Sequence, residues 1–408
     1  MARGPQNTGS GADFPAALLQ RVEAYEARVR QSGGHLFGRP PGPGSVQLVS
    51  NDYLSLATHP EIIAAQTESL AEQGNGLLMS SVFVGEGSAQ RSLERRLAAF
   101  MDAEDGLLGQ SGWCTNSGLL QAVADPDATV YLDVLAHMSL WEGANSAGAP
   151  TRPFRHNDPA SLERSIQSFG PGIVVADAIY STNGSIAPLV DIVDIAYGAG
   201  CIVVIDESHS LGTHGPQGQG LIVDLGLTDK VHFRTASLAK AFAGRGGIAV
   251  GPARLIEFIR YEARPAIFSS TVLPHEIVGF DVTLDIVMRD SWRRDRLARN
   301  ADHLRRGLAQ LGYNVSDSQS QIISIEVGRE RDTFRFRDLL EERGVFGSVF
   351  TAPATPRSRS LVRFSVNCDV TREELDRVIA ACRDVRDLVD FRDWPSTRRL
   401  RDGKTAVA

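Results

Sequence analysis

Short apolar runs alternate with helical patterns along most of the chain. Clear runs occupy positions 172–176, 201–205 and 247–250, and none of them alternates apolar with polar residues. Such runs are typical of parallel strands that are covered on both faces. The segments 88–101 and 158–169 carry their apolar residues on one face, as amphipathic helices do. This alternation predicts an α/β fold with a mostly parallel central sheet.

The pattern changes along the chain and predicts four units. Residues 1–45 form an N-terminal arm with an amphipathic helix over 14–30, and residues 46–280 form a large domain. Residues 281–390 form a smaller α+β domain that begins with an inter-domain helix near 281–311, and 391–408 form a tail. In the small domain we expect strands at 322–327 and 361–366, and a helix that opens with the capping box Thr371-Arg-Glu-Glu374.

Composition narrows the class of protein. The 408 residues are enough for two domains, and the net charge of -7 offers no electrostatic reason to bind nucleic acid or anionic membranes. The four cysteines are far apart and form no C-x-x-C pair, so neither a zinc site nor a disulfide framework is predicted. The first residues lack an apolar leader and no stretch reads as a membrane span, so we expect a cytoplasmic protein.

The first candidate for chemistry is an acid at the end of an apolar run. Asp206 follows the run 201–205, and His209 comes three residues later. Ligands of open α/β sheets bind beyond the carboxyl ends of the strands, where a carboxylate can meet a ligand cation. Two alternatives remain. Asp206 can simply cap the next segment, with His209 on the surface, or the pair can belong to a metal site, although no further ligand cluster completes one.

The second candidate is Lys240, which lies among small and apolar residues about one βα unit after Asp206. Desolvation lowers the pKa of such an amine and frees it for Schiff-base chemistry. Nearby hydroxyl groups could bind a phosphate. The ordinary alternative is an exposed lysine near a turn.

Two further features precede these. Residues 111–118 follow an apolar run and open a helical pattern, and N–H groups at a helix start bind anions. His137 lies on what reads as a partly apolar helix. Each has an ordinary alternative: residues 111–118 can be a capped turn, and His137 can be a structural histidine. Together they predict a pyridoxal-phosphate site with a phosphate cradle at 112–115, a ring-stacking His137, Asp206 at the pyridine nitrogen and Lys240 as the Schiff-base lysine.

Four motifs resemble those of the α-oxoamine synthases, a family of fold-type-I pyridoxal-phosphate enzymes, from about residue 46 to about residue 385. They are Ser-Gly-Trp-Cys-Thr-Asn at 111–116, Asp-Glu-Ser-His-Ser-Leu-Gly at 206–212, Ser-Leu-Ala-Lys at 237–240 and Asn-Asp-Tyr-Leu-Ser-Leu at 51–56. The sequence departs from the wider family at 77–87 and 137–143. Together with the segments 237–240, 267–271 and 344–350, these departures resemble the synthases of α-hydroxyketone quorum-sensing autoinducers.

The resemblance implies a role for each matching residue. Lys240 would hold the cofactor and later move protons at the substrate α-carbon, Asp206 would pair with the pyridinium, and His137 would stack on the ring. The other cofactor-binding residues would be His209 and Ser181 near the ring hydroxyl, Gly112, Trp113, Cys114 and Ser237 near the phosphate, and Ser270 and Thr271 from a second subunit. The substrate-binding residues would be Asn51, Tyr53, Thr355 and Arg363, with Arg363 on the amino-acid carboxylate. No metal is implied.

The resemblance also implies a reaction, the decarboxylating condensation of an amino acid with a medium-chain acyl-CoA in a homodimer with shared active sites. The amino donor would be S-adenosylmethionine or 2-aminobutyrate, and the product an amino ketone or enaminone. One alternative is another α-oxoamine synthase, such as 8-amino-7-oxononanoate synthase or serine palmitoyltransferase. A different alternative is a regulator that binds the cofactor without catalysis. The complete set of Lys240, Asp206 and His137 argues against it, because such a protein has no chemical need for all three. A nicotinamide dehydrogenase does not fit, because the glycine-rich stretch 215–220 does not stand between a strand and an opening helix.

Overall fold

The structure, a computed structural model, describes residues 14–32 and 35–401. The outer parts of the predicted arm and tail, 1–13 and 402–408, lie outside the described residues. The strands are β1 (Val46–Leu48), β2 (Asp105–Gly109), β3 (Val130–Asp133), β4 (Thr151–Phe154), β5 (Ile173–Asp177), β6 (Ile202–Asp206), β7 (Phe233–Ser237), β8 (Gly247–Gly251), β9 (Ile322–Gly328), β10 (Val345–Phe350) and β11 (Ser360–Ser365).

The helices before β9 are α1 (Ala16–Ser32), α2 (Pro60–Gln73), α3 (Ala89–Phe100), α4 (Gly112–Val123), α5 (Met138–Ser146), α6 (Pro159–Phe169), α7 (Leu189–Gly198), α8 (Leu221–Asp224), α9 (Ala253–Glu262), α10 (Arg264–Phe268), α11 (Pro274–Arg289) and α12 (Ser291–Gln310). Those after it are α13 (Glu330–Glu341), α14 (Arg372–Arg386) and α15 (Pro395–Arg401). Short 3₁₀ turns cover Ser81–Phe83, Thr228–Lys230 and Phe391–Asp393. The predicted capping box is present at the start of α14, where Thr371 accepts the N–H of Glu374.

The larger sheet has seven strands in the order β2-β8-β7-β6-β5-β3-β4. The predicted α/β fold with a mostly parallel central sheet is confirmed, because β4, β3, β5, β6 and β7 run parallel to their neighbours in that order. The expectation that the run 247–250 forms a parallel strand is wrong, since β8 is antiparallel to both β2 and β7. Only residues 238–246 join β7 to β8, and a parallel crossover needs about a dozen or more.

The strands of this sheet are buried on both faces, as the unbroken apolar runs predicted. Val174 and Val203 pack into one hydrophobic cluster, whereas Val175 and Val204 pack into another. All four are fully buried. Each such side chain contributes about 1.5–3 kcal/mol relative to an exposed one. The sheet is therefore held rigidly between two layers, and its carboxyl edge is a fixed platform for side chains.

The smaller sheet has the order β1-β10-β11-β9 and confirms the two strands expected in the C-terminal part. β10, β11 and β9 are antiparallel, whereas β1 pairs in parallel with β10. The first segment of the predicted large domain, β1, thus lies in the smaller sheet. The division into domains at 46, 281 and 391 stays a prediction. Within the described ranges, no helix has both the length and the apolar character needed to span a bilayer.

Candidate active site

Three buried aspartates end neighbouring strands of the larger sheet. Asp133 ends β3, Asp177 ends β5 and Asp206 ends β6. Asp177 and Asp206 are paired in register across the sheet. Burial and then the negative charge of Asp206 raise the pKa of Asp177 well above its usual range. The carboxyl edge of the sheet therefore carries the acid that the sequence predicted, with a second acid directly beside it.

The carboxylate of Asp206 is held by two hydrogen bonds. Asn116 donates through Nδ2 to Oδ2 at 2.7 Å, and the backbone N–H of Ser208 donates to Oδ1 at 2.8 Å. An ionised carboxylate has about four lone-pair sites, so each oxygen can still accept a further hydrogen bond. The arrangement suits a carboxylate that receives a proton-bearing ring nitrogen.

Lys240 lies in the connection between β7 and β8 and is half-buried. Burial lowers its pKa and the positive charge of Arg363 adds to this, while the negative charges of Asp206 and Asp177 oppose it. The balance increases the fraction of neutral amine, which is the form that attacks a carbonyl carbon. The lowered pKa agrees with the desolvated lysine expected from the sequence, and Lys240 lies within electrostatic reach of both acids. Its role as the Schiff-base lysine stays a prediction.

His209 is buried, and its Nδ1 lies 2.7 Å from the hydroxyl of Tyr53. Burial, followed by the charges of Lys240 and Arg363, lowers the pKa of His209 well below its usual range. The ring is therefore neutral at neutral pH. The Tyr53 hydroxyl also lies 3.3 Å from Oδ1 of Asn51, which links the histidine to two of the predicted substrate-binding residues.

The start of α4 has the features of an anion-binding site. The first N–H groups of a helix have no partner within the helix, and the Ser111 side chain caps that of Cys114 at 3.1 Å. This leaves the N–H groups of Gly112 and Trp113 for a ligand. A Cβ on Gly112 would lie 2.5 Å from Cβ of Ser237, so only glycine lets the helix start approach the end of β7 this closely. The predicted cofactor role of Cys114 stays a prediction.

His137 does not lie within a helix, contrary to our expectation, but immediately before one. It is the N-cap residue of α5, and its Nδ1 accepts the backbone N–H of Ser139 at 3.3 Å. Its own backbone N–H donates to Asp177 at 2.9 Å, which ties it to the carboxyl edge of the sheet. The Trp113 ring approaches it edge-on, with centroids 6.1 Å apart. The cap position, rather than a helix face, directs the imidazole toward the site.

Arg363 lies on β11 with only 5% of its surface exposed. Its guanidinium donates to the carbonyl oxygen of Ser181 at 2.7 Å and to Oδ1 of Asn51 at 3.1 Å, and it lies over the Phe350 ring at 4.6 Å. Nε is buried without a hydrogen-bond partner. No carboxylate in the described part of the chain forms an ion pair with it, so its positive charge has no anionic partner there.

A cavity of about 610 Å³ opens beside these groups. His137, Ser181 and Thr355 line it, so three more predicted residues share one space. Thr355 is buried, and its Oγ1 lies 3.5 Å from the carbonyl oxygen of Phe350. Ser270 and Thr271 do not line this cavity. They lie near Gln90 and Gln110, with Thr271 Oγ1 donating to Gln90 at 2.8 Å, and their role toward a second subunit stays a prediction.

Three residues of the site were not identified as functional from the sequence. Asp177 ends an apolar run just as Asp206 does, and this shared pattern was a signal that could have identified it. In the sequence, Asn116 stands out only as part of the motif at 111–116, and Ser139 only as a neighbour of His137. Asn116 contacts Ser139 and Asp206, which are distant from it in the sequence, so no local pattern predicts these contacts.

The arrangement fits pyridoxal phosphate on the chemistry of its donors. N–H groups and a hydroxyl converge where only glycine is tolerated at 112, as a phosphate requires. A lysine with a lowered pKa and a carboxylate that is hydrogen-bonded on both oxygens lie within electrostatic reach of each other. In addition, Arg363 Nε and Asn116 Oδ1 are buried and unsatisfied, so polar capacity in the site remains open to a ligand.

Known proteins match the chain over most of its length. The family model described as "Aminotransferase class I and II" matches residues 43–381. A CAI-1 autoinducer synthase of Vibrio campbellii is 46% identical over 86% of this chain and 88% of that protein. An 8-amino-7-oxononanoate synthase 1 of Bacillus velezensis is 31% identical over 84% and 88%. Among solved structures, a serine palmitoyltransferase from S. paucimobilis with a bound PLP-myriocin aldimine has a TM-score of 0.86 at 24% identity, over 93% and 100% of the two chains.

Proposed function

This chain belongs to the aminotransferase class I and II family, as a pyridoxal-phosphate-dependent acyltransferase of the α-oxoamine synthase type, and we propose that it makes the precursor of an α-hydroxyketone autoinducer. The proposed reaction condenses an amino acid, S-adenosylmethionine or 2-aminobutyrate, with a medium-chain acyl-CoA. The observation that carries the proposal is the buried Arg363, a cation without a carboxylate partner among the described residues, beside the cofactor residues.

The chain's own residues would hold the cofactor at three points. Lys240 would bind it covalently, Asp206 would accept its ring N–H, and the N–H groups of Gly112 and Trp113 with the Ser237 hydroxyl would hold its phosphate. His209 and Ser181 would approach its ring hydroxyl, and Ser270 and Thr271 would come from a second subunit. When bound, pyridoxal phosphate supplies an electron sink for the bond that breaks at the α-carbon of the amino acid.

Arg363 would grip the carboxylate of the amino acid. An anion that lies against its Nε edge would pair a buried charge and satisfy the unpartnered Nε, with the guanidinium held in plane by Ser181, Asn51 and the Phe350 ring. The amino acid would then stand with its α-carbon near Lys240 Nζ. The lowered pKa of Lys240 supports its use as the base that removes the α-proton.

The acyl-CoA would enter the cavity beside His137. Val134, Leu135 and Met138 line the cavity next to that histidine and offer apolar surface that an acyl chain could cover. The α-carbon forms a bond with the acyl carbon, the C–S bond breaks, and CoA leaves as a thiol after taking up a proton. The bond from the α-carbon to the carboxylate then breaks, CO₂ leaves, and the α-carbon takes up a proton, which gives the amino ketone. With S-adenosylmethionine as donor, the β-carbon also loses a proton and methylthioadenosine leaves from the γ-carbon, which gives the enaminone after a proton shift.

The proposed assembly is a homodimer with shared active sites. Leu77, Leu78, Phe83 and Phe268 are 70–81% exposed, and a bridge between Ser80 and Ser270 holds their two segments together. An exposed apolar patch of this kind supports burial against a partner, and here the proposed partner is a second copy of this chain. The segment carries Ser270 and Thr271, so a second copy that covers it would bring those hydroxyl groups close to another site. The proposed substrate, acyl-CoA, supports a cytoplasmic location.

A second candidate, synthesis of an amino ketone of the 8-amino-7-oxononanoate or sphingoid type, is supported by the relative at 31% identity. The test is a grid of purified protein with S-adenosylmethionine, 2-aminobutyrate, alanine and serine against acyl-CoAs of C6 to C16, with products identified by mass. We expect an amino ketone or enaminone from one of the first two donors with a medium chain. A product only from alanine or serine would contradict the proposal and favour the second candidate.

A further inference from the structure

A buried chain of hydrogen bonds joins Asp206 to His137 through two side chains that have no assigned role. Asn116 Nδ2 lies 2.7 Å from Asp206 Oδ2 and 2.9 Å from Ser139 Oγ. Ser139 Oγ in turn lies 2.7 Å from His137 Nδ1. Asn116, Ser139 and Asp206 are at most 3% exposed. The two contacts of Asn116 thus lie out of reach of bulk water, and the contact of Ser139 with His137 is partly buried.

The donor and acceptor in each of these hydrogen bonds follow from the chemistry of Asn116. The Asn116 amide nitrogen carries two hydrogens and accepts none, so it donates to both Asp206 and Ser139. The opposite orientation of that amide would put its oxygen against the carboxylate of Asp206. Because Ser139 Oγ accepts from Asn116, its one hydrogen is free to go to Nδ1 of His137.

Nδ1 of His137 therefore accepts from two donors. The hydroxyl of Ser139 lies 2.7 Å away and the backbone N–H of the same residue lies 3.3 Å away. A ring nitrogen that accepts hydrogen bonds carries no proton, so the neutral imidazole keeps its proton on Nε2. His137 lines the large cavity, and Nδ1 is turned to the protein.

The charges around His137 favour its neutral form. Burial lowers its pKa, the positive charge of Lys240 lowers it further, and the negative charge of Asp206 opposes the shift. Asp177, a second acid on this edge of the sheet, accepts the backbone N–H of His137. At neutral pH the ring is thus neutral as well as fixed in one tautomer.

We infer that Asn116 and Ser139 are positioning residues that hold His137 as its Nε2–H tautomer, so that the ring meets the cavity as a hydrogen-bond donor and not as a base. Given the proposed function, the group that receives this donor is a carbonyl oxygen of a substrate, such as that of the acyl thioester. The hydrogen bond from Asn116 to Asp206 links the orientation of the ring to the acid that would accept the cofactor's ring N–H.

The test uses protein without cofactor and reads the ¹⁵N chemical shifts of histidine rings during a pH titration. His137 is assigned from the signals that disappear in His137→Gln. In the wild type we expect an unprotonated Nδ1, a protonated Nε2 and a pKa below that of free histidine. In Ser139→Ala the two tautomers should mix and the pKa should rise by about 0.5–1 unit, because a neutral hydrogen bond that favours the unprotonated Nδ1 is lost.

Two variants control this experiment. Ser139→Thr keeps the hydroxyl and should retain the wild-type tautomer, whereas Ser146→Ala removes a serine from the same helix that bonds only to the exposed Glu142 and should change nothing at His137. If Ser139→Ala does not fold, Ser139→Cys keeps a similar volume with a weaker donor and should show a smaller shift in the same direction.

A proton on Nδ1 in the wild type would overturn the inference, and so would a Ser139→Ala protein with unchanged tautomer and pKa. With cofactor and substrates, Ser139→Ala and Asn116→Ala should lower kcat roughly 10-fold or more while the amino-acid KM stays within about twofold. An equal fall in Ser139→Thr would contradict the role of the hydroxyl. If the proposed substrates give no product at all, the proposed function fails, but the cofactor-free titration still decides the tautomer.

Discussion

Replacing Arg363 with lysine separates a substrate-binding role from a structural one. The substitution keeps the positive charge but removes the planar pair of donors that can hold a carboxylate by two parallel hydrogen bonds. In the structure the guanidinium reaches only neutral acceptors, the carbonyl oxygen of Ser181 and Oδ1 of Asn51, and its Nε has no partner. Within the protein, the Arg363 guanidinium therefore keeps a free donor and an unpaired positive charge, and a bound carboxylate would satisfy both.

The expected changes in amino-acid affinity and melting temperature follow from the hydrogen bonds that Arg363→Lys removes. A hydrogen bond to a charged group contributes about 1.5–3 kcal/mol, and about 1.4 kcal/mol corresponds to a factor of ten in affinity. Loss of one of two bonds to the amino-acid carboxylate should weaken amino-acid binding roughly 10- to 100-fold. The bonds to neutral protein groups contribute about 0.5–1.5 kcal/mol each, so the melting temperature should fall by no more than about 4 °C.

The assay is a titration of the amino acid against the visible absorbance of the bound cofactor, with a melting curve on the same sample. Arg294→Lys is the matched control, because Arg294 is also buried and bonds to the backbone oxygens of Val287 and Pro216. The control should lose stability with unchanged amino-acid affinity. An Arg363→Lys protein that behaves like this control would refute the assignment of Arg363 to the substrate.

Four other outcomes are expected. Lys240→Ala should abolish both the yellow colour of the purified protein and any borohydride-reducible cofactor adduct, and an adduct that persists would assign the covalent link elsewhere. Asp206→Asn should retain some cofactor but slow α-proton exchange roughly 100-fold or more, since the carboxylate that stabilises the ring proton is lost, whereas near-normal exchange contradicts its role. Mixing inactive Lys240→Ala subunits with inactive Ser270→Ala/Thr271→Ala subunits should restore activity in one of the two sites of each mixed dimer, and no recovery after verified subunit exchange rules out shared sites. Burial lowers the pKa of His214 from 6.5 to about 4, so the stability linked to its neutral form is present above pH 6.5 and is lost as the pH falls toward 4. His214→Gln should therefore flatten the fall of unfolding free energy over this pH range in denaturant titrations. An unchanged fall would show that His214 is not the group responsible.

Features that depend on local sequence were predictable. The unbroken apolar runs identified strands that are covered on both faces, and the capping box at Thr371 marked the start of α14. The position of Asp206 at the end of a strand followed from the same reasoning, because the carboxyl ends of parallel strands meet at one edge of the sheet. Lysine among small apolar residues indicated desolvation, and the lowered pKa of Lys240 agrees with that.

Features that depend on how distant segments pack could not be predicted from the sequence. The direction of β8 is set by the short connection from β7, and the partner of β1 lies almost three hundred residues further along the chain, at β10. We expected His137 on a partly apolar helix, but it lies just before that helix and its side chain caps the first turn. The bond from Asn116 to Asp206 joins residues that only the tertiary fold brings together, so its role was invisible in the sequence.

The measurement that tests the central claim most directly follows two products of one turnover. The amino acid carries a labelled carboxyl carbon, and CO₂ release is compared with the release of free CoA thiol. We expect equal amounts of CO₂ and free thiol, only when amino acid and acyl-CoA are present together, and neither product with Lys240→Ala. Thiol release without CO₂ would show simple thioester hydrolysis, and CO₂ release without thiol would show simple decarboxylation. Either result would contradict a decarboxylating condensation at this site.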